Sequence, residues 1–323
     1  MYYDLLHSPD AVVPDVRVTA RLLVERLGLP EPKPGWFQSS ACHGYTALFA
    51  RVHPSRAVAP SRIEAIAPAP RPLRPDPADV PANVGYIAAL QADRPLKTHA
   101  TVLTTSRFAE LAADLARNGV RHRIDPPSRD LGHERLWIGF TGAEYSPADD
   151  AGLFFEVIPT QCLELPEAAR AALPAAAHPD LAGLAPGGMI RVAARSYLVA
   201  DISKTAGLLE DRLGWPVERL TGTSGARRAV MAVNFPRSAR FELIEPGYDP
   251  DAAAYFGRWG PGTYATRITV DDLAARAGEL RDRGAGFRRR QAGAGGPDVL
   301  RVDPDVVPGF LFDFIDETAE RQY

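Results

Sequence analysis

LVERLGLP (Leu23–Pro30) recurs as LEDRLGWP (Leu209–Pro216), and this pair of matching helix ends decides how the chain is read. In each copy a leucine-spaced run stops at a glycine, Gly28 or Gly214, where positive φ ends a helix, and a proline follows two residues on. Three more matches keep the same order: IEAIAP (Ile63–Pro68) with FELIEP (Phe241–Pro246), LARNG (Leu115–Gly119) with LRDRG (Leu280–Gly284), and FFEVI (Phe154–Ile158) with LFDFI (Leu311–Ile315). The offsets fall steadily, 186, 178, 165 and 157 residues, as expected of a second copy with shorter loops. The C-terminal half reads as a duplicate of the N-terminal half.

Each half in turn holds two similar units. Helical spacing runs over Val16–Leu27 behind Asp15, Arg107–Asn118 between Ser106 and Gly119, Ser203–Leu213 before Gly214, and Leu273–Arg283 between Asp272 and Gly284. Between them lie β-type runs: Tyr45–Val52, Arg62–Ile66, Thr101–Thr104, Leu136–Phe140, Leu153–Ile158, Ala229–Phe235, Arg240–Ile244, Thr266–Val270 and Phe310–Ile315. Two Pro- and Ala-rich stretches, Ala67–Asn83 and Glu164–Gly188, read as linkers. The expected organisation is a first domain over residues 1–163, with modules at about 1–68 and 85–163, a linker at 164–189, and a second domain over 190–323.

Composition narrows the function classes. With 46% apolar and 24% charged residues the 323-residue chain reads as a soluble globular protein. A net charge of -3 argues against a nucleic-acid surface. No apolar run approaches the roughly 18–20 residues of a membrane span, and MYYDLLHSPD lacks the features of a signal peptide. Cys42 and Cys162 lie far apart without metal spacing, so two free thiols and a cytoplasmic location are expected. Three lysines (Lys33, Lys97, Lys204) among 37 basic residues suggest a GC-rich bacterial coding sequence. No phosphate-binding glycine loop, GxSxG elbow or CxxC pair is present.

The repeated pattern resembles the vicinal oxygen chelate superfamily, which includes glyoxalase I, methylmalonyl-CoA epimerase, extradiol dioxygenases and bleomycin-resistance proteins. The resemblance implies an α+β fold: four βαβββ modules forming two glyoxalase-like domains, each with a cupped mixed β-sheet and flanking helices. In metal-binding members, ligands come from the first and last strands of each module, as a His or Gln, a Glu, a His and a Glu. Carried onto this chain, those positions are His7 in YYDLLHSPD, Glu64 in RIEAI, His99 in THATVLTT and Glu156 in LFFEVI. His7 stands eight residues before Asp15, where the family spacing is seven. The matching places in the second half are read as Ala194, Glu242, Ala265 and Asp313, so both imidazoles are missing there and the second domain is expected to be metal-free.

Taken singly, the candidates have plainer readings. A histidine at a strand start is usually solvated, and Glu64 between Ile63 and Ala65 reads as the wet face of a strand. Glu156 differs, because an unpaired carboxylate inside an apolar run is costly. His43, His133, Trp137 and Tyr145 are weaker candidates for substrate contact, and Arg288, Arg289 and Arg290 read as a solvated strand edge. Two imidazoles and two carboxylates suit Zn²⁺, Ni²⁺, Co²⁺, Mn²⁺ or Fe²⁺. The expected function is a metal-dependent isomerase or lyase of glyoxalase or epimerase type, with Glu64 or Glu156 removing a proton beside a metal-bound carbonyl. The alternatives are an Fe²⁺-dependent ring-cleaving dioxygenase and a non-catalytic small-molecule binder. The expected partner is a small-molecule substrate, with no nucleic acid and no membrane, in a monomer or homodimer.

Overall fold

In a computed structural model, the structure describes residues 1–40, 43–56, 58–69, 83–128, 130–163, 165, 167–175, 183–293 and 295–322. Most of the Ala67–Asn83 linker, part of the Glu164–Gly188 linker and Cys42 lie outside the described residues. The first half contains β1 (Leu5–Val12), α1 (Val16–Leu27), β2 (Phe37–Ser40), β3 (Tyr45–Ala50), β4 (Ile63–Pro68), α2 (Asn83–Leu90), β5 (Thr101–Thr105), α3 (Phe108–Arg117), β6 (His122–Asp125), β7 (Arg135–Ile138), a short ribbon of β8 (Phe140–Thr141) and β9 (Glu144–Tyr145), and β10 (Phe155–Pro159). After α4 (Glu167–Ala172) the second half repeats the scheme. It has β11 (Met189–Leu198), α5 (Ile202–Leu213), β12 (Val217–Thr221), β13 (Arg228–Met231), β14 (Arg240–Ile244), α6 (Pro250–Trp259), β15 (Gly262–Val270), α7 (Leu273–Asp282), β16 (Phe287–Gln291), β17 (Asp298–Val302), β18 (Phe312–Asp316) and α8 (Glu317–Gln322).

Two eight-stranded sheets result, ordered β2-β3-β4-β1-β5-β10-β7-β6 and β12-β13-β14-β11-β15-β18-β17-β16. The two orders are the same pattern twice, so each sheet joins two βαβββ modules through an antiparallel central pair, β1 with β5 and β11 with β15. The fold is the expected α+β arrangement of four modules in two glyoxalase-like halves.

The repeated helix ends work as read. Asp15 accepts hydrogen bonds from the backbone N–H groups of Arg17 and Val18, and Gly28 ends α1 at φ 67°. Asp201 and Gly214 (φ 62°) do the same for α5. Each helix turns one apolar stripe inward, Val16, Ala20, Leu23 and Leu27 in α1 and Ile202, Ala206, Leu209 and Leu213 in α5. Helix α3 departs from expectation, since its N-cap is Arg107, not Ser106. Arg288–Arg290 do lie on an edge strand, but Arg290 is paired with Asp249 and Asp251 rather than solvated.

The halves pack back to back. Trp215, fully buried, stands where the first copy has Leu29. Its ring lies 4.7 Å from Tyr3 and 5.3 Å from Phe155 of the first half. This explains the alternation in LFFEVI: Phe155 and Val157 face the shared core, while Glu156 and Ile158 face the opposite side of the sheet. Two polar contacts cross the same seam. The buried Arg195 of β11 donates to the Asp10 carbonyl at 2.9 Å, and Tyr197 hydrogen-bonds Thr101. Among the described residues no helix is long and apolar enough to cross a membrane.

Candidate active site

The free face of the first sheet lines a cavity of about 760 Å³. His7, Glu64, His99 and Glu156 all border it, and all four are buried, at 4–7% exposure. Their placement follows the module symmetry. Glu64 pairs with Asp10 and Glu156 with Val102, each partner three residues after a histidine. His7 and His99 each lie eight residues before the N-cap of the following helix, Asp15 and Arg107. The two histidines thus share one spacing, the same in both modules. His7 sits at a register shift in β1, between Leu6 and Ser8, and such bulges re-aim side chains beside sites.

The surroundings of the four differ. His99 is braced: its Nδ1 lies 3.2 Å from the Asp10 carboxylate, within ion-pair distance though not aligned as a hydrogen bond. The same carboxylate accepts from the N–H groups of His99 and Ala100 and from the Thr98 hydroxyl. Burial pushes the His99 pKa down, but Asp10 together with Glu156 and Glu64 outweighs it and the net shift is upward. Trp137 packs its ring 5.3 Å from His99 and donates its indole N–H to Asp125 at 2.9 Å. Burial raises the Glu64 carboxyl to about 7 against the opposing pull of Arg62, and raises Glu156 against Arg135 and His99. His7 is pushed well below the usual histidine range by burial and by Arg62, Arg51 and Arg56. Glu64, His99 and Glu156 thus act on one another, whereas the charges acting on His7 are chiefly arginines.

The donor types suit a borderline divalent cation, and a carboxylate behind a ligating imidazole is the usual support for one. Asp10 at Nδ1 would leave Nε2 of His99 as the ligand atom. As the side chains stand, however, no three His, Cys, Asp or Glu residues among the described ones are grouped so that they could hold a metal ion.

Of the weaker candidates, His43, His133 and Trp137 border the cavity. His43 is buried, 3.0 Å from the Ser128 hydroxyl and beside Arg135. Tyr145 does not border it. Its hydroxyl donates to Asp150 at 2.5 Å and its ring stacks on Phe154, 4.7 Å away, against the apolar cluster whose Val102, Trp137 and Ile158 do line the cavity. Reading from the residues missed Asp10, Arg62 and Arg135. Asp10, the acidic residue within β1 three positions after His7, was the signal for the first; the arginines become visible only through strand pairing.

The second half is built differently at the same places. The counterparts of the histidines are Ala193 and Tyr264, eight residues before Asp201 and Asp272, rather than Ala194 and Ala265. Glu242, fully buried, accepts from Ser196 at 2.9 Å and is paired with Arg228 and Arg267. Despite burial, these guanidinium groups lower its pKa to about 2. Asp313 is paired with Arg301 at 2.7 Å. Arg267 occupies the position that Val102 holds in the first half, opposite the module's last-strand carboxylate.

No protein-family model matches this chain, and no curated protein matches it. Among solved structures, a triple mutant of 4-hydroxymandelate synthase from Streptomyces coelicolor aligns over 98% of this chain and 92% of its own, at 14% identity and a TM-score of 0.56. Methylmalonyl-CoA epimerase from Mycobacterium tuberculosis aligns over 39% of this chain and 86% of its own, at 25% identity and a TM-score of 0.33. A Streptomyces coelicolor methylmalonyl-CoA epimerase in complex with 2-nitronate-propionyl-CoA covers 40% of this chain and 97% of its own, at 19% identity and a TM-score of 0.35. The sheet order, the four modules and the whole-chain alignment agree: this chain has the fold of the vicinal oxygen chelate superfamily, in tandem form.

Proposed function

We propose that the chain is an enzyme that removes a proton beside a carbonyl of a small organic substrate, as an isomerase or lyase, with Glu64, His99 and Glu156 as its reactive set. The observation that carries this reading is the pair of buried carboxylates bordering one large cavity, both with raised pKa, on either side of a braced histidine. A carboxylate whose pKa approaches neutrality is matched to taking and returning a carbon-bound proton. Glu64, at about 7, is the first choice for that role, and Glu156 can serve the opposite face of the substrate. Trp137 supplies an apolar wall beside His99, which strengthens every electrostatic contact in the cavity. The four side chains are not grouped to hold an ion as they stand; if rotamer changes at Glu64, His99, Glu156 and His7 closed them on a divalent cation, it would supply Lewis-acid polarisation of the substrate carbonyl. In the second domain the corresponding carboxylates are already neutralised by arginines, which supports a scaffolding, metal-free role for that half.

The test is exchange of carbon-bound protons in D₂O, followed by proton NMR over a panel of small carbonyl acids, with and without added divalent metal. Glu64→Gln and Glu156→Gln should each lower exchange by about 10²–10⁴-fold. Full turnover in both variants rejects the proposal. Oxygen consumption with Fe²⁺ and a catechol would replace it with the ring-cleaving reading.

A further inference from the structure

The turn that leads into β10 has an unusual backbone. Among the described residues, Ala151 (φ 58°) and Phe154 (φ 54°) are the two non-glycine residues with positive φ. For a bulky side chain such as phenylalanine this conformation is strained, and it persists only where surrounding contacts enforce it. Those contacts converge on Asp150, which is fully buried. Its Oδ1 accepts from the Tyr145 hydroxyl at 2.5 Å and from the Gly152 N–H at 3.0 Å, and its Oδ2 accepts from the Phe154 N–H at 2.9 Å. Phe154 also packs in the apolar cluster of Val102, Trp137 and Ile158. Its carbonyl accepts from the N–H of Thr101, two residues after His99, at 2.8 Å. The pairing of β10 with β5 starts there, Phe155 opposite Thr101 and Glu156 opposite Val102.

The second half makes the same turn without the strain. A backbone bond closes both turns, Leu153 to Asp150 at 3.2 Å and Phe310 to Val307 at 3.1 Å, and the Thr266 N–H donates to the Leu311 carbonyl as Thr101 does to Phe154. Val307 therefore stands in the place of Asp150, and Gly309 supplies the positive φ (92°). Pro308 and Leu311, the counterparts of Ala151 and Phe154, are not in that region. The buried acid and the strained residues belong to the copy that keeps the histidines.

We propose that Asp150 is a positioning residue for proton transfer: by clamping residues 150–154 it sets the register at which β10 enters the sheet, and so aims Glu156 into the cavity. This role rests on the reading of Glu156 as a reactive group. Side-chain alternation makes the register decisive, because a slip of one residue would turn Glu156 into the shared core and Phe155 into the cavity. Smaller displacements matter as well, since a misplacement of about 1 Å can cost on the order of 10²-fold in rate. A turn with two strained residues does not hold this shape by itself, and Asp150 is the side chain that bonds across it. Tyr145 takes its place here as a support of the clamp, through its hydroxyl on Asp150 and its ring on Phe154.

Asp150→Asn tests this in the full chain, because it keeps one oxygen for Tyr145 and Gly152 but sets an amide group against the Phe154 N–H. Two readouts are taken. Backbone amide exchange, followed by NMR, should run at least about tenfold faster in β10 and stay unchanged in β18. Exchange of the substrate's carbon-bound proton in D₂O should fall about 10²-fold in the wild-type background. In a Glu156→Gln background the same change should cost less than about twofold, since its effect passes through Glu156. Tyr145→Phe, which keeps the ring on Phe154 and drops one bond to Asp150, should move both readouts the same way and serves if Asp150→Asn does not fold. A merely structural Asp150 would loosen β18 together with β10 and cost the same rate in both backgrounds. Either result overturns the proposal, as does unchanged amide exchange in β10. Full turnover in Glu156→Gln removes the catalytic reading and this role with it, whereas loosened β10 amides with unaltered turnover remove the role of Asp150 alone.

Discussion

Glu64 and Glu242 hold matching places in the two copies, yet their environments predict opposite responses to the same substitution. Burial raises Glu64 from 4.5 to about 7, with Arg62 only partly opposing it. The folded state therefore favours the protonated carboxyl. Its contribution to stability is full below about pH 4.5 and is lost as pH rises through about 7, a swing on the order of 3 kcal/mol. Glutamine carries no such charge, so Glu64→Gln should gain on the wild type by that amount between about pH 4 and pH 8. Glu242 is lowered to about 2 by Arg228 and Arg267, against the cost of burial. Its stabilisation is present above about pH 4.5 and is lost as pH falls through about 2. Removing this charge takes a shared buried partner from Arg228 and from Arg267, which keeps Glu320, so Glu242→Gln should cost about 3–5 kcal/mol near neutrality. The assay is thermal unfolding of both variants in chelator, at acid, neutral and mildly alkaline pH. A kilocalorie displaces the midpoint by roughly 2–4 °C in a domain of this size, so the Glu64→Gln gain at alkaline pH should be about 6–12 °C. Loss of stability in metal-free Glu64→Gln at alkaline pH, or no loss in Glu242→Gln, refutes the reasoning.

Three further outcomes are expected. Asp10→Asn should move the His99 titration to lower pH, read by NMR of the imidazole, because the Asp10 carboxylate is what lifts it; imidazolium stabilisation, present below the usual pKa and lost as pH rises through the raised one, then ends earlier. Addition of Zn²⁺ or Ni²⁺ at about one hundred times Kd should stabilise the wild type by about 2.7 kcal/mol and leave a His99→Ala, Glu156→Gln double variant unmoved in a thermal shift assay. Gly28→Ala should lower stability by about 1–2 kcal/mol in denaturant titration, since φ is 67° and an added Cβ would stand 2.5 Å from the Glu279 carboxylate of α7.

The duplication and the fold were legible because they rest on local signals. Gly28 and Gly214 end helices whatever surrounds them, and apolar spacing fixes the buried stripe of α1 and α5. The meeting of His7, Glu64, His99 and Glu156 on one cavity came from the resemblance, through positions rather than chemistry. What escaped was whatever depends on strand pairing. Arg267 stands near Glu242 only because β11 lies between β14 and β15, and no run of residues announces that closure. Strands β12 and β16 were missed because VERLT and FRRRQ face largely outward and carry little apolar alternation. Helix α2 was missed because it begins at Asn83, where the proline-rich stretch was read as ending. Tyr145 could not be placed from the chain alone, since its partner Asp150 lies outside the cavity lining.

Arg195 lends the second half a hold on the first. It is 1% exposed, bonded on one side to Thr266 and on the other to the Asp10 carbonyl, directly behind the carboxylate that braces His99. A mutational scan should therefore find Arg195 intolerant although it sits in the copy without the histidines. The two halves are therefore coupled: the copy that lacks the imidazoles fixes the backbone of the strand that carries the brace in the other.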